Sequence, residues 1–352
     1  MIVTRTPFRI TLGGGGTDLP SYYTRFGGFV ISAAIDKYMF IAVNTPVVDE
    51  LIRVKYSKSE IIETVEEVEH TLVREALRLM EITSAVEIVS MADIPAGTGL
   101  GSSSTYAVGL LNALHTLGQD PVSREQLAEE ACRIEIEILG KPIGKQDQYI
   151  AAFGGIRILE IDTEGRVKVS PLRLSQESLD ELEQNILLFY TGVSREGLEI
   201  LAYQDSRTKG GDPDVLQRLH QIKELGLEIR EALEHGNARK FGELMHVHWT
   251  RKKAMSTSVT SSRIDEWYEI ARQHGAVGGK ITGAGGGGFL VLYAEGNKKG
   301  LRAALQRAGL RELRYRFDFE GSKILVNQIS TEQARDHLRR IQQLPTVDIA
   351  RA

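Results

Sequence analysis

The sequence predicts an α+β protein of two layers and about two domains, and three observations carry the prediction. Strand-like runs crowd the opening of the chain, helical segments crowd its second half, and no steady strand–helix alternation joins them. A length of 352 residues suits two domains better than one. With 42% hydrophobic and 26% charged residues, the composition is that of an ordinary globular chain with ample core material.

The elements follow in order. "MIVTRTPFRITL", "GGFVISAAIDKYMFIAVNTPV" and "LIRVKYS" are rich in β-branched and aromatic residues and predict strands. "EEVEHTLVREALRLMEI" has helical periodicity, and "SAVEIVSMADIP" predicts a strand running into a glycine loop. Helices are expected at roughly 103–117 and 123–139. A hairpin from "GGIRILEID" and "GRVKVSPL" and a buried strand in "NILLFYTG" come next. Beyond about residue 185, helices are expected at roughly 213–235, 237–255, 261–274 and 298–309. Strands in "GGKITGAGGGGFLVLYAE" and "RYRFDFEGSKILVNQ" accompany them. The change of character divides the chain into 1–185 and 186–352. The polar "SREGLEILAYQDSRTKGGDP" is expected to be a mobile loop or lid.

Composition also excludes function classes. A formal charge of −4 gives no footprint for nucleic acid or an anionic membrane. The N-terminus lacks an apolar signal core, and the most apolar late stretch is too short and glycine-rich to span a bilayer. The single cysteine, Cys132, excludes an intrachain disulfide and is expected to be a small buried hydrophobe. A cytoplasmic location is expected. His246 and His248 would face different sides of a helix, which argues against a zinc site.

Glycines concentrate at Gly13–Gly16, at Gly97, Gly99 and Gly101, and at Gly283 with Gly285–Gly288. Any one run could be a plain turn. The third spells a dinucleotide fingerprint, yet it enters the strand "FLVLY" rather than opening a helix, and no run ends in the Gly-Lys-Ser/Thr of a Walker loop. The middle run, "PAGTGLGSSS", has the right order for an anion cradle. Its glycines let backbone N–H groups approach an oxyanion. Ser102, Ser103 and Ser104 add hydroxyls at the positive end of the helix that follows. Such hydroxyls can also reach a Mg²⁺ bridging phosphate oxygens.

Wound as a helix, "LAEEACRIEIEIL" puts Leu127, Ala128, Ala131, Cys132, Ile134, Ile138 and Leu139 in one apolar stripe. Glu135 alone among the charges falls inside it, so it needs a cation or hydrogen bonds, unless it sits at the stripe's edge beside an arginine. Asp147, in the polar "GKPIGKQDQY", reads by itself as a turn former in a loop. Arg9 in "PFRITL" and Asp18 in "GGTDLP" are equally open to ion-pair or turn roles.

Together the pieces resemble the GHMP kinase superfamily of sugar, homoserine and mevalonate kinases. "PFRITLGGGGTD" resembles its first motif, "PAGTGLGSSS" its phosphate loop and "KITGAGGGG" its third. "EIEILGKPIGKQDQY" resembles the galactokinase segment with the metal-binding Glu and the catalytic Asp. The resemblance implies an N-terminal domain of the ribosomal protein S5 domain 2-like type and a ferredoxin-like C-terminal domain, with the site between them. It implies ATP and Mg²⁺. ATP would sit on Pro95, Gly97, Thr98, Gly99, Leu100, Gly101 and Ser102–Ser104, with Ser103 and Glu135 at the metal. Asp147 would be the base, with Arg9 beside the phosphoryl path, and Asp18 would hold a sugar hydroxyl with Gly15, Gly16 and Thr17 around it. Gly283 and Gly285 would bind the substrate as well.

The first motif departs from that of galactokinases, and "RTPFRITLGGGGTDLPSYY", "GKQDQYIAAFGG" and "HWTRKKAM" most resemble the family's D-glycero-D-manno-heptose 7-phosphate kinases. The expectation is transfer of a phosphoryl group to an anomeric hydroxyl, giving a 1,7-bisphosphate. Arg195, Lys252 and Lys253 would hold the existing phosphate, or else lie on a solvated face. The rivals are another small-molecule kinase or a decarboxylase of the family, or a non-catalytic sugar and ATP sensor. The expected partners are a sugar phosphate and ATP, with no nucleic acid and no membrane, and the chain a monomer or homodimer.

Overall fold

The first domain is organised by a hairpin whose second strand is unusually long. β1 (Ile2–Gly13) leads through the glycine run and a short helix, α1 (Pro20–Phe26), into β2 (Gly28–Asn44). The first half of β2 is buried on both faces, and its second half alternates as a one-faced strand should. The computed structural model describes residues 1–193, 198–254 and 259–328. β3 (Ile52–Lys55) and β4 (Ser59–Ile62) form a hairpin. The expected helix at "EEVEHTLVREALRLMEI" is a single 3₁₀ turn, Val65–Glu67, and then α2 (Thr71–Leu79), because His70 caps a new start through Val73 N–H.

β5 (Val86–Ala92) runs into the glycine loop, and α3 (Ser102–Leu117) and α4 (Arg124–Cys132) follow. The second expected helix does not stay α-helical to its end. Arg133–Ile138 is a π turn, with Leu139 N–H bonded to the Ile134 carbonyl five residues back. The wider turn leaves Glu135 wholly buried and swings Ile138 out of the predicted stripe to 47% exposure. Asp147 is not in a loop either. It stands in the first turn of α5 (Gln146–Phe153). β6 (Ile156–Ile161) and β7 (Val167–Pro171) are the expected hairpin, and α6 (Gln176–Asn185) ends the first half.

β8 (Ile186–Tyr190) begins the second sheet. The predicted loop after it is instead helical from α7 (Leu198–Lys209); residues 194–197 lie outside the described residues. α8 (Pro213–Glu234), α9 (Ala238–Lys253) and α10 (Ser262–Gln273) follow. The third glycine run joins β9 (Ala276–Ile281) to β10 (Phe289–Ala294) as a hairpin. α11 (Lys298–Arg307), β11 (Arg311–Leu313) and β12 (Lys323–Asn327) complete the described chain.

Among the described residues the first sheet has eight strands, ordered β12-β1-β2-β5-β3-β4, with β6 paired to β2 and β7 paired to β6. The second has four antiparallel strands, β11-β8-β10-β9. The two-layer α+β class is as expected. The return of β12 to β1 was not legible, so the last strand of the second half belongs to the first sheet. Side chains of both sheets and of α8 share one large apolar cluster, including Leu12, Leu188, Ile229 and Tyr293. That packing fixes the cleft between the halves. Among the described residues no helix is long and apolar enough to cross a membrane.

Candidate active site

The glycine loop and α3 come first, because the loop turns on left-handed glycines. Gly101, with φ +86°, is the N-cap of α3, and a Cβ there would lie 3.1 Å from Asp147 Oδ2. At Gly99, φ +76°, a Cβ would meet the Thr282 carbonyl oxygen at 2.9 Å. Both need glycine for conformation and for close approach. Thr98 and Leu100 are buried, and the Thr98 hydroxyl donates to the Pro95 carbonyl, so these side chains brace the loop. Gly97, with φ +75°, completes the turn. Ser102 Oγ is buried with no partner at the head of a 16-residue helix, where N–H groups and dipole favour an anion.

Ser103 and Ser104, one residue apart in the first turn of α3, both donate to Glu135, Ser104 at 2.6 Å. Gln148 of α5 donates at 2.8 Å and the Lys141 amine at 3.0 Å, and Lys141 also donates to Ser103 Oγ at 2.8 Å. A fully buried carboxylate is thus compensated from three elements. The Lys141 ammonium stands between the Glu135 carboxylate and the Ser103 hydroxyl, where it marks a position built for a cation. A hard oxygen-ligated cation such as Mg²⁺ fits that donor pair. Among the described residues there is no group of three or more His, Cys, Asp or Glu side chains suited to a metal, so such an ion would need ligand oxygens as well.

Arg9 reaches the other side of the loop from β1. Its backbone N–H bonds the Leu100 carbonyl, and Nη1 donates to the Gly99 carbonyl at 2.7 Å. Nε and Nη2 grip Asp147 Oδ1 and Oδ2, both at 2.7 Å. This fork-to-carboxylate pair holds Asp147 aimed at the loop. Asp147 keeps 21% side-chain exposure, enough to meet a ligand. Asp18 is buried, accepting from the N–H groups of Gly16 and Gln146 at 3.0 and 3.2 Å. Burial, and then the Asp147 charge, raises its pKa above the usual carboxylate range.

The cleft between the domains is lined by Arg9, Gly15, Gly16, Asp18, Asp147 and Gly283 among the expected residues. Leu201 and Gln204 of α7 also line it. Other expected residues lie elsewhere. The buried Thr17 hydroxyl is engaged with the Gly14 and Phe29 backbones and ties down the loop instead of facing the cleft. Gly285 packs on Val259. Lys253 turns away to pair with Asp265 at 2.9 Å, because neighbouring residues on a helix face different sides. Arg195 lies outside the described residues. Lys252 does line the cleft and donates to the Gly283 carbonyl. Burial and the Arg9 charge push its amine down to about 8, partly offset by Asp18.

Two cleft residues escaped sequence reasoning. Lys280, on β9, and His248, on α9, are both buried and both line the cleft. Lys280 was detectable as the lone charge in "AVGGKIT"; His248 had no such signal, since a histidine on a helix reads equally as core. Cys132 is buried, as expected.

The family models for the GHMP kinases N terminal domain and the GHMP kinases C terminal match residues 70–155 and 229–310. The chain is 31% identical over 314 residues to a D-glycero-alpha-D-manno-heptose 7-phosphate kinase of Campylobacter jejuni, covering 85% of this chain and 91% of that protein. It is 27% identical to a galactokinase of Pyrococcus furiosus, over 92% of this chain and 97% of that one. Among solved structures, a D-glycero-D-manno-heptose 1-phosphate kinase from Bacteroides thetaiotaomicron superposes with a TM-score of 0.77 at 24% identity. That match covers 94% of this chain and all of the other, and it speaks for the fold.

Proposed function

The chain belongs to the GHMP kinase family of ATP-dependent phosphotransferases, and on that premise we propose that it phosphorylates the anomeric hydroxyl of a heptose 7-phosphate. The observation that carries the proposal is the Arg9 bridge. One guanidinium ties a partly exposed carboxylate, Asp147, to the phosphate loop at the mouth of a cleft that also holds Asp18. ATP lays its phosphates along residues 97–104 and against the N-terminus of α3. Asp18 and the Gly15–Gly16 backbone orient the sugar. Asp147 holds the proton of the attacking hydroxyl, and Arg9 neutralises charge on the transferring group. Mg²⁺, held by Glu135 and Ser103, would neutralise the phosphate charge that makes attack unfavourable. Lys141 then has to leave the position between them.

The acceptor's class rests on charge. Lys252 is a cleft-lining cation on a protein of net negative charge, and a heptose 7-phosphate kinase is among the proteins similar to this chain. The test is a panel of free sugars and sugar 7-phosphates assayed for ADP release, with NMR of the product. Heptose 7-phosphate should be the best acceptor and carry the new phosphate at C1. Equal turnover of unphosphorylated heptose would defeat the proposal.

Two further outcomes are expected. Lys252→Met should raise KM for the sugar phosphate far more than KM for ATP. In the wild type the same KM should climb as pH passes about 8, because the amine is charged below its depressed pKa and neutral above it. A flat profile through pH 9 would separate Lys252 from the acceptor. Gly101→Val should weaken ATP binding by tenfold or more, since its Cβ meets both a left-handed backbone and Asp147. Calorimetry showing wild-type ATP affinity in the folded variant would count against the loop.

A further inference from the structure

His248 carries an unmet hydrogen bond. Its Nδ1 lies 3.2 Å from the Lys280 amine, while Nε2 is buried with no partner. With the Lys280 amine donating to Nδ1, the ring proton lies on Nε2. Burial, with the charges of Lys280, Lys252 and Arg251, holds the imidazole well below its ordinary range, so the ring is neutral and Nε2–H is a donor. A buried donor without an acceptor is costly and calls for a ligand oxygen.

Lys280 raises the same question about charge. Its partners are the His248 ring and, at 3.4 Å, the Leu12 carbonyl, both neutral. Burial, then Lys252 and Arg9, depress its pKa strongly. Among the described residues neither Lys280 nor Lys252 has a carboxylate partner, for Asp147 is occupied by Arg9. His248 and Lys252 stand four residues apart on α9, hence on one face, and Lys280 faces them from β9. An unmet donor, one amine without a carboxylate partner and a second that Asp18 offsets only in part line one cleft. A neutral hydroxyl satisfies the donor alone, whereas a phosphate oxyanion satisfies all three.

We propose that Lys280 and the Nε2–H of His248, with Lys252 at its edge, form the subsite for the acceptor sugar's own phosphate. The assignment rests on the proposed heptose 7-phosphate acceptor, and it moves the anion contact from the surface of α9 to the wall between α9 and β9. Lys280 is a specificity residue here. An entering phosphate raises the depressed pKa of its amine, so binding of the acceptor favours proton uptake there.

Calorimetry without nucleotide tests this on the full chain, titrating heptose 7-phosphate and, separately, inorganic phosphate into wild type, Lys280→Met and His248→Phe. ATP·Mg²⁺ is titrated as the control arm. Both variants should lose tenfold or more in affinity for the sugar phosphate and for inorganic phosphate, and keep ATP affinity within about twofold. The wild-type heat should vary with buffer ionisation enthalpy, and that dependence should shrink in Lys280→Met. Unchanged sugar phosphate affinity in either folded variant overturns the subsite, and so does a loss confined to ATP. The two substitutions remove different groups, so one unfolded variant leaves the other to decide. If wild type turns over no sugar 7-phosphate yet binds inorganic phosphate in a Lys280-dependent way, the substrate proposal falls and the subsite stands. Turnover of heptose 7-phosphate with equal kcat/KM in wild type and Lys280→Met has the opposite meaning.

Discussion

Asp147→Asn is expected to lower kcat by roughly two to four orders of magnitude while sugar phosphate and ATP still bind. The amide keeps the size of the carboxylate but cannot hold the hydroxyl proton. It also turns an N–H donor toward one limb of the Arg9 fork, which now grips the carboxylate at two 2.7 Å bonds. Arg9 then keeps its bond to the Gly99 carbonyl and loses half its anchor. The fold should survive, since the Asp147 side chain is 21% exposed and starts a helix instead of filling a core. A secondary effect follows at Asp18, whose raised pKa owes part of its shift to the Asp147 charge and should fall in the variant. Steady-state kinetics paired with calorimetry decide the matter. Near-wild-type kcat in folded Asp147→Asn would remove the residue from the chemistry.

Glu135→Gln should raise the Mg²⁺ concentration for half-maximal rate by roughly tenfold to a hundredfold, through loss of the charge facing Ser103. It should also destabilise the protein. The carboxylate accepts from Ser103, Ser104, Gln148 and Lys141, and an amide nitrogen would set a donor against one of them. One such mismatch in the interior costs about 1–3 kcal/mol, which thermal melting detects. The two effects separate by their readouts. A lower melting temperature with an unchanged Mg²⁺ requirement would make Glu135 a structural anchor for α3 and nothing more.

The glycine loop, its helix and the anomaly of Glu135 were legible because each is a local matter. A glycine run before a helix and a charge inside an apolar stripe follow from spacing alone. Even there the local rule failed at Ile138, where the π turn shifts the face without any periodicity to betray it. Asp147 was found as a residue but misplaced in a loop, since a helix start rich in polar residues and glycine looks like a turn. Lys253 was chosen beside Lys252 because both stand in one basic run, yet only one of two helix neighbours can face a cleft.

From the sequence alone came the α+β class, the order of the three glycine motifs, and Ser103, Glu135 and Asp147 as the residues to watch. The class, the glycine motifs and the buried charge of Glu135 depend on residues near one another in the chain, while Asp147 and the metal role of Ser103 came from the family resemblance. Tertiary structure decided which of the candidate cations enter the cleft, that Arg9 grips Asp147 across 138 positions, and that Lys280 and His248 meet between a strand and a helix. It also decided that β12 returns to β1 at the far end of the described chain. Such pairings are made by the packing of whole elements, and the separation of their partners along the chain leaves no periodic trace in either segment.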